Sequence, residues 1–212
     1  YSVYGVRLRG HGTVPEDLAH MQWQDWYESV NRGYVVMKNS VNKFVIAGFS
    51  TGGCLALLQA ARKNEKFSGM ISINAPLKLQ NIKAHLSGTV SFFNTILKKF
   101  KVNKGRMDFV PNHPDNPEIN YRRNPVHGVA ELGKLMKIVE QSLPDIKIPS
   151  LVLQGSHDPV VNPESADAIF EKISSPKKEL VKISSDRHGI LRGETLDEVV
   201  ENIIPFLKKV FR

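Results

Sequence analysis

Ser50, Asp158 and His188 are the side chains of this sequence that could together carry out nucleophilic catalysis. A neutral serine hydroxyl is a poor nucleophile. It needs an imidazole to accept its proton and a carboxylate to orient that imidazole. The chemistry expected from this combination is attack of the serine on a carbonyl carbon, with a covalent intermediate on the serine.

Ser50 lies in the segment Lys43–Gly53, whose sequence is KFVIAGFSTGG. The apolar residues before the serine predict a strand, and apolar residues at helical spacing follow it. A serine at the tip of such a turn adopts strained backbone angles, so we expect Gly48 and Gly52 to let the strand and the helix approach closely. The Thr51 N–H, at the helix N-terminus, is then placed to stabilise an oxyanion. The simpler interpretation is a glycine-bounded loop without catalysis.

Asp158 and His188 are selected because each follows a predicted strand. Functional groups collect at the carboxyl ends of parallel strands. Asp158 lies four residues beyond the predicted strand Leu151–Gln154, and His188 lies five residues beyond the predicted strand Glu179–Ile183. With Ser50 first, the order serine, aspartate, histidine is the one that a serine on a strand-to-helix turn demands.

Other titratable residues are weaker candidates. Asp186 stays open as an alternative carboxylate, although it is close to His188 in the sequence. The remaining histidines are interpreted as ordinary surface or loop residues: His11, His20, His85, His113, His127 and His157. The sequence has no His, Asp and Glu cluster with metal-ligand spacing and no phosphate-binding glycine loop. We therefore expect neither a metal nor a cofactor.

The elements that would position these residues alternate between strand and helix. Strands are predicted at Ser2–Leu8, Phe44–Ala47, Met70–Ala75, Leu151–Gln154 and Glu179–Ile183. Helices are predicted from about Gln22 to Lys38, after Ser50, after Pro163, and from Leu196 to Leu207. This alternation predicts an α/β fold with right-handed crossovers, a mainly parallel sheet and flanking helices.

Residues 77–143 interrupt the alternation. No strand is predicted there, whereas Ile82–Phe100 predicts one or two helices with an apolar face and Val129–Val139 predicts a further helix. We predict that 1–76 and 144–212 form the core and that 77–143 is a helical cap that shapes an apolar pocket. The alternative, that Val129–Val139 is an ordinary core helix, is equally open.

Composition limits the classes of function. A single cysteine excludes an internal disulfide and favours a reducing compartment, so we expect a cytoplasmic location. The net charge is +8, and the stretch Lys78–Arg106 holds seven basic residues and no acidic residue. Because no nucleic-acid-binding motif accompanies it, we expect no nucleic acid partner. The basic stretch is interpreted as a solvated face or as a surface in peripheral contact with anionic lipid.

Together these features resemble the α/β-hydrolase superfamily, and within it the bacterial monoacylglycerol lipase and carboxylesterase branch. The resemblance runs along nearly the whole chain, through Leu8–Thr13, Trp23–Trp26, Gly48–Gly53, Ile73–Ala75, Gly155–Val161 and Ser184–Gly189. It implies Ser50 as nucleophile, His188 as base and then acid, and Asp158 as the orienting carboxylate. It also implies the Thr51 N–H as one oxyanion donor and 77–143 as the family's cap over an acyl-chain pocket.

The resemblance implies hydrolysis of carboxylic esters with a medium or long acyl chain, similar to monoacylglycerols, through an acyl-enzyme. Thioester hydrolysis or acyl transfer by the same residues, and a non-catalytic binding or scaffold role, stay open. The family's first three strands and its second oxyanion donor would lie upstream of Tyr1. We therefore expect the N-terminal strands to be missing and the isolated chain to lose about a hundred-fold or more in rate. The strand edge exposed in that case favours self-association.

Overall fold

The computed structural model describes residues 1–80, 87–99, 105–114 and 116–212. Its strands are β1 (Val45–Phe49), β2 (Gly69–Ile73), β3 (Phe109–Pro111), β4 (Arg123–Pro125), β5 (Ser150–Gly155) and β6 (Lys178–Ile183). Its helices are α1 (Pro15–Leu18), α2 (Trp23–Lys38), α3 (Thr51–Arg62), α4 (Ser87–Lys99), α5 (Val126–Ser142), α6 (Glu164–Lys172) and α7 (Leu196–Val210). The chain divides into two compact units, Tyr1–Met37 with Asn81–Leu135 and Lys38–Gln80 with Met136–Arg212.

The second unit contains a parallel sheet with the strand order β1-β2-β5-β6. Phe49 is paired with Ile73, and Gly155 is paired with Ile183. The carboxyl ends of the strands therefore meet at one edge of the sheet. This confirms the predicted mainly parallel sheet, and it brings the segments that follow β1, β5 and β6 together.

Helices cover both faces of this sheet. β2 and β5 are buried along their whole length, as expected for central strands of a parallel sheet that are almost continuously apolar. On one face, Ile71, Leu151 and Ile183 pack with Val199 and Phe206 of α7. α3 packs against β1 and β2 but contributes no residue to that cluster, so it lies on the other face. The buried run from Cys54 to Ala60 makes α3 a central element of this unit.

The first unit is built around the amphipathic helix α2. The Trp23 N–H at its first turn donates to Glu131 Oε2 at 3.1 Å, and Glu131 is almost completely buried. A carboxylate at this position satisfies an N–H that has no partner within the helix and complements the positive end of its dipole. Lys134 Nζ, 2.6 Å from Glu131 Oε1, balances the buried charge.

The predicted strand Ser2–Leu8 is wrong, because none of its residues is assigned to a strand. Val6 and Tyr4 instead lie over Gly33 of α2, where an added Cβ would come within 2.5 Å of Val6 Cγ2. The alternation of valine and tyrosine therefore reflects packing on a helix. A strand also requires a hydrogen-bonded neighbour, which side-chain alternation alone cannot provide.

The expectation that residues 77–143 contain no strand is also wrong. β3 and β4 form a short antiparallel pair in which Phe109 is opposite Pro125. The Arg123 guanidinium lies 4.4 Å from the centre of the Phe109 ring. Three-residue strands that contain proline carry too little apolar alternation to be recognised from sequence.

The helices predicted in this region are confirmed where the structure describes them. The predicted Ile82–Phe100 segment contains α4, and Val129–Val139 lies inside α5. Ile82, Leu86 and Phe100 lie outside the described residues. One compact unit contains Tyr1–Met37 together with much of the predicted cap. The division of the chain into a core and a cap stays a prediction.

Candidate active site

Ser50 occupies a strained turn between β1 and α3. Its backbone angles are φ 53° and ψ −122°, a conformation that non-glycine residues rarely adopt. The Ser50 N–H donates to Ile73 O at 2.8 Å, and the Cys54 N–H donates to Ser50 O at 3.2 Å. The first bond fixes the turn to the end of β2, and the second begins the helix. The Thr51 N–H lies in the first turn of α3, where backbone donors have no partner within the helix.

Two glycines make this turn sterically possible, and only one of them, Gly48, is a predicted one. A Cβ on Gly48 would come within 2.0 Å of Gly52 O, so only glycine fits at position 48. A Cβ on Gly52 would meet no atom within 4 Å, so the expectation that a missing side chain at Gly52 allows the close approach is wrong. The neighbouring Gly53 has that role, because its Cβ would lie 2.7 Å from Ala75 Cβ. The glycine pair at 52–53 was the available signal.

The structure brings the three predicted side chains into one hydrogen-bonded chain. His188 Nε2 lies 2.9 Å from Ser50 Oγ, and His188 Nδ1 lies 2.7 Å from Asp158 Oδ2. Because a carboxylate only accepts, Nδ1–H is the donor to Asp158, which leaves Nε2 free to accept from the Ser50 hydroxyl. This is the arrangement in which an imidazole can remove the serine proton.

Asp158 is held as an acceptor on both of its carboxylate oxygens. Oδ1 accepts from the N–H groups of Val160 and Val161 at 2.8 and 2.9 Å. Oδ2 accepts from His188 and, at 3.4 Å, from Gln154 Nε2. The carboxylate side chain is fully buried. Its orientation toward His188 is therefore fixed by its own loop and by Gln154, a contact that spacing did not predict.

The loops that carry Asp158 and His188 are connected to each other. The Ser156 N–H donates to Ile183 O at 2.8 Å, and the His157 N–H donates to Ser185 O at 2.9 Å. The Phe49 ring, at the end of β1, lies 4.8 Å from the His188 ring centre to centre. The imidazole is thus packed on one side, while 17% of the His188 side chain stays exposed. Ser50 itself is half-buried.

Three competing residues are not suited to the same chemistry. Asp186 and His157 are exposed, and neither replaces Asp158 or His188 in the hydrogen-bonded chain. Cys54 is completely buried, its Sγ donates to Pro76 O at 3.2 Å, and burial raises the pKa of its thiol. A thiolate at Cys54 is therefore disfavoured. In the described part of the chain, no group of three His, Cys, Asp or Glu side chains could hold a metal ion.

Comparisons with known proteins agree with this geometry. The family model described as "Serine aminopeptidase, S33" (Hydrolase_4) matches residues 1–195. The chain is 30% identical over 212 residues to a protein named thermostable monoacylglycerol lipase from Bacillus sp. (strain H-257), covering 99% of this chain and 80% of the relative. It is 25% identical over 211 residues to a carboxylesterase from Bacillus subtilis (strain 168), covering 99% and 82%.

A solved structure is similar throughout. It belongs to a study of LipS and LipT, two metagenome-derived lipolytic enzymes, and it superposes with a TM-score of 0.84 at 24% identity. The match covers 96% of this chain and 80% of the other. At this identity the likeness shows a shared fold.

Within the described residues, no helix is both long and apolar enough to cross a membrane.

Proposed function

The chain belongs to the Hydrolase_4 family, an α/β-hydrolase family of serine hydrolases, and from this premise we propose that it hydrolyses monoacylglycerol-like carboxylic esters at Ser50. The observation that carries the proposal is the hydrogen-bonded chain Ser50–His188–Asp158 at the carboxyl edge of a parallel sheet. Ester hydrolysis through an acyl-enzyme uses such a chain, and it gives a role to the strained serine at a helix N-terminus.

The proposed reaction has two halves. Ser50 Oγ attacks the ester carbonyl carbon while His188 Nε2 accepts the serine proton and Asp158 keeps the imidazole oriented. The Thr51 N–H stabilises the negative oxygen that develops. Collapse breaks the ester bond, and the alcohol leaves with the proton from His188. His188 then accepts a proton from water as the water oxygen attacks the acyl carbon. The bond from that carbon to Ser50 Oγ breaks, Oγ regains the proton from His188, and the acid is released.

The substrate class is supported by the relatives and by the chain's apolar insert. Relatives named monoacylglycerol lipase and carboxylesterase favour ester hydrolysis over thioester hydrolysis, acyl transfer or a non-catalytic role. Residues 77–143 are proposed as the cap, and within them Phe92 and Phe93 of α4 are 65% and 57% exposed. Exposed aromatic side chains on a helix suit contact with a medium or long acyl chain.

The experiment that tests the function measures hydrolysis of p-nitrophenyl esters of increasing chain length and of a monoacylglycerol. We expect hydrolysis that is abolished in Ser50→Ala, together with fluorophosphonate labelling of the wild type that is lost in the same variant. Ser72→Ala is the matched control, because Ser72 is a buried serine of β2. No hydrolysis and no labelling of the folded wild-type chain would contradict the proposal.

Location and association complete the proposal. The single buried Cys54 supports a reducing compartment such as the cytoplasm. The excess of basic residues and the exposed aromatics of α4 support peripheral contact with anionic lipid. β1 and β6 are edge strands of the described sheet, which supports self-association through a strand edge. Light scattering over a range of protein concentrations tests the last point, and a constant monomer mass would contradict it.

A further inference from the structure

Asn74 stands directly after β2 in an unusual backbone conformation. Its φ is 46°, and in the described part of the chain only Ser50 shares a positive φ among non-glycine residues. Left-handed backbone is unfavourable for an L-residue, although asparagine tolerates it better than most. Asn74 is also completely buried. A buried polar residue in a strained conformation persists only where its surroundings hold it in place.

Both the oxygen and the nitrogen of the Asn74 side-chain amide form hydrogen bonds. Its Oδ1 accepts from the Gly155 N–H at 2.9 Å, and its Nδ2 donates to His188 O at 2.7 Å. The orientation of the amide is fixed by these partners, because a backbone N–H only donates and a carbonyl oxygen only accepts. The Asn74 N–H itself donates to Leu153 O at 2.9 Å.

These partners belong to the two loops that carry the other members of the hydrogen-bonded chain. Gly155 is the last residue of β5 and lies three residues before Asp158. His188 is held through its own backbone carbonyl. The preceding residue, Ile73, accepts the Ser50 N–H at 2.8 Å. The exit of β2 is therefore bonded to the serine turn, to the aspartate loop and to the histidine loop.

We propose that Asn74 is a positioning residue that sets the distance between the Asp158 loop and His188, and thereby the approach of the imidazole to Ser50 Oγ. This inference rests on the proposed function of that site. The His188 carbonyl and ring belong to one residue, so a shift of the carbonyl carries the ring with it. A misplacement of about 1 Å in a catalytic group can cost on the order of a hundred-fold in rate.

The chemistry of the two bonds explains why the residue is asparagine. Aspartate could still accept from the Gly155 N–H, but it has no donor for His188 O and would place a negative charge against that carbonyl. Glycine would keep the left-handed backbone without strain but lacks both hydrogen bonds. Asn74→Asp therefore removes one bond, and Asn74→Gly removes both while preserving the backbone.

The test compares Asn74→Gly and Asn74→Asp with Ser72→Ala on p-nitrophenyl butyrate. Ser72 is also buried on β2, and its hydroxyl has no hydrogen-bond partner among the described residues. We expect kcat to fall about 10–100-fold in both Asn74 variants. We expect KM to stay near the wild-type value, because a completely buried side chain cannot contact substrate. The rate of fluorophosphonate labelling at Ser50 should fall in parallel, and Ser72→Ala should match the wild type.

Stability is separated from positioning in the same experiment. If an Asn74 variant is incompletely folded, sucrose is added, because it favours the folded state. The variant is then assayed when its circular dichroism spectrum equals that of Ser72→Ala. A folded Asn74→Gly with wild-type kcat and labelling rate would overturn the positioning role. If Ser50→Ala retained hydrolysis, the proposed function itself would fail and the positioning role with it. Loss of activity in Ser50→Ala with normal Asn74→Gly would overturn the positioning role alone.

Discussion

At the scale of single residues, Asp158 is more constrained than its proposed role in orienting His188 requires. Two backbone N–H groups hold one of its oxygens, and His188 and Gln154 face the other. The first oxygen therefore maintains the loop and the second controls the imidazole. A substitution that keeps the shape of the side chain but changes the second position separates these two functions.

Asp158→Asn is expected to lower kcat by roughly a thousand-fold to ten-thousand-fold with little change in the fold. Asparagine Oδ1 can still accept from Val160 and Val161, whereas its Nδ2 would face His188 Nδ1. The imidazole would then carry its proton on Nε2, toward Ser50, and could not accept the serine proton. Steady-state kinetics on a p-nitrophenyl ester measures the loss. Asp186→Asn, which alters an exposed carboxylate two residues from His188, is the control. A loss of activity in Asp186→Asn that equals the loss in Asp158→Asn would contradict the assignment.

His11 gives a pH dependence of stability that is separate from catalysis. Burial lowers the pKa of His11 from 6.5, and a hydrogen bond to Arg9 O opposes this shift only partly. Because the pKa in the folded state lies below the unfolded value, the unfolded chain binds more protons as the pH falls below 6.5. The stability that neutral His11 contributes is fully present above that pH and is lost as the pH falls through the interval between the two pKa values.

We therefore expect His11→Gln to lose less thermal stability than the wild type when the pH is lowered from about 7.5 to about 5.5. Thermal unfolding followed by circular dichroism at both pH values measures the difference in Tm. His20→Gln, at an exposed histidine in the same unit, should retain the wild-type dependence. Equal pH dependence in His11→Gln and the wild type would show that His11 does not carry this effect.

At the scale of elements, the close approach of α3 to the end of β2 is what places Ser50. The adjacent glycines of α3 provide a matched pair, because a Cβ at 53 meets Ala75 and a Cβ at 52 meets open space. Gly53→Ala should lower the free energy of unfolding by about 1–3 kcal/mol. Gly52→Ala should be neutral or stabilise the helix by up to about 1 kcal/mol. Urea unfolding measures both, and equal effects would rule out the contact with Ala75 as the cause.

The sequence predicted those elements whose pattern comes from burial in the sheet. β2 and β5 were found because almost continuously apolar residues and the flanking prolines and glycines mark buried parallel strands. Ser2–Leu8 was predicted as a strand that the structure does not contain, and the short pair β3–β4 was not predicted at all. Both errors arise because strand pairing depends on a partner that the local sequence does not encode.

More of the candidate site than of the surrounding fold was predicted from the sequence. Ser50, Asp158 and His188 follow strands of one parallel sheet, so strand position and residue order sufficed to bring them together. Asn74 and Gln154 were not recognised, because their roles depend on which backbone groups face them. An asparagine directly after a buried strand was the one available signal for Asn74.

At the scale of the whole molecule, the charge of +8 predicts binding to anionic vesicles. Within residues 77–143, Lys98 Nζ lies 3.4 Å from Asp108 Oδ1, and Arg106 is paired with the same carboxylate. Asp108→Asn removes the carboxylate that pairs with both cations and should therefore strengthen binding, whereas Phe93→Ser should weaken it. Vesicle sedimentation measures both. About 0.5 M salt should release the protein, and zwitterionic vesicles serve as the control. No binding to anionic vesicles at low salt would contradict the prediction.

Labelling of the Cys54 thiol can measure local opening of α3. Its thiol is completely buried one turn beyond Ser50, and no second cysteine exists in the sequence. A thiol reagent added to the native chain can therefore react only when α3 separates from the residues around it. The labelling rate would measure how often the helix that follows Ser50 opens, without an introduced probe.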